Sequence, residues 1–366
     1  MKRQKLLALA AVEGDLDKMA AMLSEEPSLA KDWQPIMDAC FMGQIEAVAL
    51  LLENGADPNV LGRSAHKYRP LHRTVEKKVT IPRTERHVRV VEMLLARGAD
   101  PLLRATQAQI SALAMAAMSG DRRFVDLLSS NTPNPDLFHS AVLGDAARVQ
   151  ALLKEDPESA RKRDDNGWCA LDYACRSRVG EGDPVAEEAL RDVVRQLAAA
   201  GADVSAGLDH VVYRNDVELT ELFLKQGATM QDGDTLNHAA CEGKHEALDL
   251  VVRAGANLND TRGTEHHGGY TPFGCTLTMR SLVGARWFLE QGIDPNYVGG
   301  PNGESSLHVA VRNRAGGSSA QAPRRERCGC ERTRQRWSHA TRCGHGARRS
   351  KGSRFLEIPL TGGTVP

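Results

Sequence analysis

A recurring unit of about 30 residues constrains this chain more than any other feature of its sequence. Residues 48–59 (VALLLENGADPN) and residues 91–101 (VEMLLARGADP) share an apolar run that ends in Gly-Ala-Asp-Pro. Similar endings lie at 201–203, 227–229, 255–257 and 292–296. Apolar residues at i, i+3 and i+4 predict a helix, and the glycine after it suits a left-handed C-terminal cap.

A second, alanine-rich helix is predicted upstream of each such helix, as in 111–117 (SALAMAA) and 236–240 (LNHAA). Pairs such as Gly14-Asp15, Gly43-Gln44 and Gly144-Asp145 mark a tight turn between the two helices. Each unit therefore consists of a short helix, a turn, a longer helix, a glycine stop and an extended loop. Two short helices bury too little surface alone, so the units must stack on one another.

These units resemble the ankyrin repeat family, whose first helix starts with a Thr-Pro-Leu-His-x-Ala pattern. Residues 271–273 (TPF) and 306–310 (SLHVA) match parts of that start, and the Gly-Ala-Asp endings match the end of the unit. The resemblance covers residues 6 to about 314. The expected fold is an all-α ankyrin-repeat solenoid of helix-turn-helix units with short extended loops, in about nine units and a truncated tenth. The expected domains are this solenoid at 1–314 and a tail at 315–366. The units begin near Leu6, Pro35, Tyr68, Gln109, Pro135, Asn166, Ala206, Asp234, Tyr270 and Asn302.

The charge balance, the apolar stretches and the cysteines of the chain bear on its class of function and its location. Lys plus Arg and Asp plus Glu are both 47, and this charge balance argues against a dedicated nucleic-acid binder. The chain has no apolar stretch near the roughly 20 residues that span a bilayer, so no membrane association is expected. Five of the eight cysteines are dispersed among predicted helices, which favours a reducing, cytoplasmic location. The frequent Ala and Arg are typical of a bacterial protein.

The sequence contains no phosphate-binding glycine loop, nucleophile elbow, His-Glu-x-x-His motif or kinase signature. We therefore predict a protein that is not an enzyme, with no cofactor and no metal. His72, His238 and His308 are assigned to one unit position, where the resemblance implies a structural imidazole. A zinc site at His238, Cys241 and His245, or an ion at His266 and His267, is the less favoured alternative.

The resemblance implies a scaffold that binds a partner protein through a concave helix face and its loop tips. Insertions at 77–87, 178–186 and 261–269 break the period and are the places where this chain differs from a regular array. The partner is unidentified, and a basic one would suit the acidic body; the chain itself is expected to be a monomer. Nine residues are candidate contacts, namely the acidic tips and the aromatics near unit boundaries: Trp33, Asp57, Tyr68, Asp100, Trp168, Asp203, Tyr270, Asp294 and Tyr297.

The pattern stops inside the tenth unit. Residues 316–366 contain ten Arg and one Lys against three Glu, a net charge of +8, and are expected to form a disordered basic tail. The abrupt change suggests a frameshift, and Cys328, Cys330, His339, Cys343 and His345 leave zinc binding open as an alternative. The alternative function is nucleic-acid binding by this tail together with the basic insertion at 77–89.

Overall fold

The computed structural model describes residues 3–63, 67–77, 81–105, 109–230, 232–264, 268–300 and 303–315. Within these ranges, nineteen α-helices form nine successive pairs, followed by a single helix. The first helices of the pairs stack in one layer, and most of the second helices stack in another. The prediction of an all-α repeat solenoid is confirmed.

The first-helix layer contains the odd-numbered helices: α1 (Arg3–Glu13), α3 (Trp33–Met42), α5 (Pro70–Val75), α7 (Ala112–Ser119), α9 (Leu137–Leu143), α11 (Ala170–Arg176), α13 (Ser205–Tyr213), α15 (Gly233–Cys241), α17 (Pro272–Thr278) and α19 (Ser306–Ala315). The second-helix layer contains the even-numbered helices: α2 (Leu16–Glu25), α4 (Ile45–Glu53), α6 (Glu85–Ala96), α8 (Arg122–Ser130), α10 (Ala146–Glu155), α12 (Pro184–Ala199), α14 (Val217–Lys225), α16 (His245–Arg253) and α18 (Leu282–Glu290).

The predicted turns and stops have the expected backbone geometry. Gly43 ends α3 with a left-handed φ of 68°, and Gly55 ends the Asp57 unit with a φ of 86°. Only glycine adopts these angles without steric cost. Aspartates begin several second helices; Asp15, for example, accepts a hydrogen bond from the backbone N–H of Lys18 at 3.1 Å. Sequence-local signals thus define the helix pair.

The short extended elements lie between units. Strands β1 (Arg104–Ala105) and β2 (Ile110–Ser111) pair antiparallel, with Arg104 opposite Ser111. Two 3₁₀ helices, Pro27–Lys31 and Pro157–Arg161, follow α2 and α10, where the units lack a Gly-Ala ending. These connections are the extended loops that the fold class predicts.

The insertions begin and end close to the predicted positions. The first and second are shorter than predicted, because Glu85 already begins α6 and Pro184 already begins α12. In both cases the last three residues assigned to the insertion form the first turn of the second helix. The third insertion lies between α16 and α17, and residues 265–267, with the histidine pair, fall outside the described residues.

The buried apolar side chains form two clusters that meet at α9. One extends from Leu7 to Val142, with Trp168, Tyr173 and Val179, and the other runs from Leu137 to Ile293. Residues 316–366 of the predicted tail lie outside the described residues, so the division at residue 314 stays a prediction.

Candidate functional site

Aromatic residues lie at or just before the start of four of the first helices. Tyr68, Trp168 and Tyr270 each lie two residues before the helix starts, and Trp33 is the first residue of α3. Tyr68 and Trp33 both lie close to Gly62. A Cβ atom added to Gly62 would lie 3.1 Å from the Tyr68 carbonyl oxygen and 3.3 Å from the Trp33 ring. The structure therefore arranges the predicted aromatics along one edge of the first-helix layer.

Around Tyr68 the structure assembles a network that we name the Glu76 cluster: Phe41, Tyr68, Arg73 and Glu76. The Arg73 guanidinium lies 3.7 Å from the centroid of the Phe41 ring and forms an ion pair with Glu76. The Tyr68 hydroxyl donates to Glu76 Oε1 at 2.9 Å. Burial and the adjacent Glu76 carboxylate raise the pKa of Tyr68, so the phenol stays a donor. Each polar side chain of this cluster thus has a partner within the protein.

A second group, which we name the Trp168 cluster, contains Phe138, Trp168, Tyr173 and Arg176. The Tyr173 ring packs edge-on against Phe138 and Trp168, with centroid distances of 5.5 and 5.6 Å. The Tyr173 hydroxyl donates to Asp164 Oδ2 at 2.7 Å. The Arg176 guanidinium lies 4.0 Å above the centroid of the Trp168 ring, a cation–π contact. Trp168 is only 4% exposed, so it is a packing residue more than a free surface anchor.

The four acidic loop tips share one geometry. The Oδ1 atoms of Asp57, Asp100 and Asp294 each accept a hydrogen bond from the backbone N–H two residues later, all at 2.8 Å. Asp203 makes the same bond to Ser205 at 3.1 Å, and its other oxygen pairs with Arg163 at 2.8 Å. All four side chains are exposed. The carboxylates thus order their own turns and still present negative charge to solvent.

The last two predicted tyrosines lie near the end of the described chain. Tyr297 is 45% exposed, in the same loop as Asp294. Tyr270 is half-buried, and its hydroxyl donates to Glu304 Oε2 at 2.9 Å. Tyr270 also lies 5.7 Å from the Arg312 guanidinium, so its hydroxyl, like that of Tyr68, already has a partner inside the protein.

The basic insertion folds back onto the preceding unit. Arg83 donates to the Phe41 carbonyl at 2.9 Å and to the Glu76 carbonyl at 2.7 Å, and Arg86 donates to the Gly43 carbonyl at 2.9 Å. Phe41 and Gly43 lie at the C-terminal end of α3, where carbonyl groups carry partial negative charge. Burial lowers the pKa of Arg83 to about 10. These two arginines therefore stabilise a helix end, which weakens their assignment to a nucleic-acid patch.

Three histidines were assigned to the same position of their units, and two of them do lie at the same position of their helices. His72 and His308 each directly follow a leucine and are the third residues of α5 and α19. His72 Nε2 lies 2.9 Å from the Ile110 carbonyl of the next unit, which confirms its structural role. The assignment of His238 was wrong: it is the sixth residue of α15, which begins at Gly233 without a proline start, and it pairs with Asp234. Among the described residues, no group of three or more His, Cys, Asp or Glu side chains is placed to hold a metal ion.

The sequence analysis did not predict the charged residues of either cluster. Arg73, Glu76 and Arg176 were not among the candidates, although Arg73 and Arg176 both lie on the helix that follows a predicted aromatic. An arginine one or two turns after such an aromatic was the available signal. The structure does not bring the acidic tips into contact with these clusters in any hydrogen bond or ion pair of the described residues.

The family model for the ankyrin repeat matches residues 31–63. These residues form α3, α4 and the Asp57 loop, which is one complete unit. This match supports the ankyrin repeat family, with one repeat detected. Ankyrin repeats generally mediate protein–protein interaction, and the family is typically non-enzymatic. No curated protein matches the chain. Within its described ranges, no helix is long and apolar enough to cross a membrane.

Proposed function

We propose that this ankyrin repeat protein is a non-catalytic scaffold that binds a partner protein through its first-helix layer and loop tips. The observation that carries the proposal is the aromatic edge: Trp33, Tyr68 and Tyr270 keep part of their rings exposed, and Tyr297 lies exposed in a tip loop. Rigid aromatic rings of this kind supply much of the binding energy at protein interfaces.

The acidic tips give the proposal its electrostatic part. Asp57, Asp100 and Asp294 use one carboxylate oxygen for their turn, so the charge remains available to a basic segment of the partner. Such charges mainly raise the rate of encounter. The cysteines support a cytoplasmic location, because all five in the described residues are free thiols and four of them are buried.

The test is affinity capture from a native lysate with the full-length chain. Trp33→Ala and Tyr297→Ala, combined in one variant, should lose a protein that the parent retains. The matched control is Val185→Ala, because Val185 is 80% exposed on α12 in the opposite layer. Equal retention by both variants, with unchanged unfolding midpoints, would contradict the proposed surface.

A further inference from the structure

The C-terminal end of the described stack carries an apolar surface that we name the terminal face: Leu282, Val283, Leu289, Leu307 and Val311. The first three residues lie on α18 and the last two on α19, and both helices pack on α17. The exposed fractions of the five residues lie between 52% and 85%. Single exposed apolar residues are ordinary, whereas a group of them marks an interaction site.

The α19 positions of the terminal face are buried in the interior of the stack. Leu307 and Val311 are the second and sixth residues of α19, and Leu71 and Val75 are the second and sixth residues of α5. Leu71 is 2% exposed and Val75 is 1% exposed. The second helix of their unit, α6, packs against α5, and the described part of the tenth unit has no such helix. Leu307 and Val311 therefore occupy positions that a further helix would cover.

The α18 positions show the same difference. Leu289 lies three residues before the glycine stop of its unit, as Leu52 does, and Leu52 is buried. Leu282 is the first residue of α18 and is 85% exposed, whereas Val217, the first residue of α14, is 37% exposed. In the interior, α4 packs against α6 and α14 packs against α16. Within the described ranges, no second helix follows α18.

The residues after α19 do not have the pattern of a second helix. A second helix such as α4 has apolar residues at i, i+3 and i+4. Residues 316–366 have almost no apolar periodicity, and their one run of large apolar residues, 355–360 (FLEIPL), contains Pro359. Proline breaks the interior of a helix. We therefore look for the cover of the terminal face in a second molecule.

The charges of the terminal face are complementary to themselves. Arg286 lies four residues after Leu282 and three before Leu289, so the three side chains share one side of α18. Arg286 and Glu290 lie 3.6 Å apart, and both side chains are exposed. Two α18 helices that cross antiparallel place each copy's Arg286 against the other copy's Glu290. A surface that is complementary to itself is what a two-fold dimer requires.

The N-terminal end of the stack does not fit the terminal face. There Arg3 pairs with Glu25, and Asp17 and Lys18 are exposed. A head-to-tail contact would bury these charges against apolar residues, at a high cost in free energy. A contact between two C-terminal ends buries apolar residues against each other and closes after two copies.

We propose that the terminal face is a homodimer interface, in which the α18–α19 end of one copy packs against the same end of a second copy. A dimer takes the place of the expected monomer. The inference goes beyond the proposed function, because it depends on neither the aromatic edge nor the loop tips.

Sedimentation velocity of the full-length chain, from low to high micromolar concentration, tests the interface. We expect a reversible shift from the mass of one chain to the mass of two. Leu282→Glu should raise the dissociation constant at least about tenfold, because the contact would bury a carboxylate without a partner. Val185→Glu is the matched control, since Val185 is 80% exposed on α12, in the interior of the stack, and its dimer should be unchanged.

Three results of that experiment overturn the proposal. The first is a parent that keeps the mass of one chain at every concentration, and the second is growth beyond two copies. The third is equal dimerisation by Leu282→Glu and the parent. If residues 316–366 cover the terminal face of their own copy, Leu282→Glu lowers the unfolding midpoint of a chain that stays single, and this result also overturns the dimer.

A charge exchange tests the antiparallel contact. Arg286→Glu and Glu290→Arg each place like charges across the interface, so each variant alone should dimerise more weakly than the parent. An equimolar mixture of the two variants should dimerise more tightly than either alone, because the two faces then carry opposite charges. A mixture that dimerises no better than the separate variants overturns the proposed contact between the two α18 helices.

Discussion

The Glu76 cluster and the Trp168 cluster are two versions of one arrangement, an arginine against an aromatic side chain in the first-helix layer. In the Glu76 cluster, Glu76 accepts from both Arg73 and the Tyr68 hydroxyl, and its side chain is only 9% exposed. In the Trp168 cluster, the Nε atom of Arg176 and the indole Nε1 of Trp168 are buried and have no hydrogen-bond partner among the described residues.

The two clusters differ in how well their buried groups are paired. A buried network whose charges are paired fixes the local packing, and the loss of one member leaves uncompensated charge. Buried donors without a hydrogen-bond partner cost free energy. We therefore expect arginine loss to be more destabilising in the Glu76 cluster than in the Trp168 cluster.

Removal of the acceptor from the satisfied cluster should have the largest effect. Glu76→Ala should lower the free energy of unfolding by about 4 kcal/mol, because it leaves Arg73 as an unpaired, largely buried charge. Urea denaturation measures this loss. Glu53→Ala is the control, since Glu53 is exposed on α4 and lies 4.0 Å from Arg97, and it should have little effect. A loss no larger than that of the control would mean that the network does not stabilise these units.

Acid should weaken the fold next, because an imidazole with a lowered pKa lies beside each cluster. Burial lowers the pKa of His72 to about 4 and also lowers the pKa of His210, which lies near Arg176. The unfolded chain then binds protons that the folded chain does not, so stability is complete above about pH 6.5 and falls as the pH drops toward 4. The contribution of His72 is about 3 kcal/mol.

Unfolding curves recorded between pH 7 and pH 4 test this acid response. His72→Gln should flatten the curve, because an amide can still donate to the Ile110 carbonyl but does not titrate. His308→Gln should leave it unchanged, since His308 is exposed on α19. A parent whose stability is constant across that pH range would show that the buried imidazoles are not held neutral.

Matched arginine substitutions compare the two clusters directly. Arg73→Met should lower the free energy of unfolding by about 2 kcal/mol, because Glu76 then loses one charged hydrogen bond and keeps the one from the Tyr68 hydroxyl. Arg176→Met should raise it by about 1 kcal/mol, because an apolar chain of similar length replaces a charge that is only partly compensated. Chemical denaturation of both variants measures these changes in the free energy of unfolding. If both variants lose the same free energy of unfolding, Arg176 stabilises the fold as much as Arg73 does.

The repeat architecture was predictable from sequence because its determinants are local. The glycine stops, the Gly-Asp turns and the alanine-rich first helices each depend on a few adjacent residues, and the structure contains them where the pattern predicts. The first residues of α6 and α12 were placed less well, since proline and polar residues in the insertions obscure where the second helix begins.

The clusters were not predictable in the same way, because each is completed by an aromatic ring of the preceding unit. Phe41 packs against Arg73, and Phe138 packs against Tyr173. His238 was misassigned because α15 has no proline to mark the start of the helix. The aromatic positions were visible in the sequence, but their burial was not, as the 4% exposure of Trp168 shows.

The loop tips lie outside both clusters and should give the smallest change in stability. Asp57→Ala removes the acceptor of one turn and should cost about 0.5 kcal/mol. Asp57→Asn should cost still less, because Asn257 already makes the same bond in its own loop, accepting from the Asn259 N–H at 3.0 Å.

Changing Asp57, Asp100 and Asp294 together to Asn therefore removes three charges and keeps the turns. If the tips steer a basic partner, this variant keeps its unfolding midpoint while the association rate and its salt dependence fall. An unchanged association rate would reduce the aspartates to turn formers and leave the aromatic edge as the binding determinant.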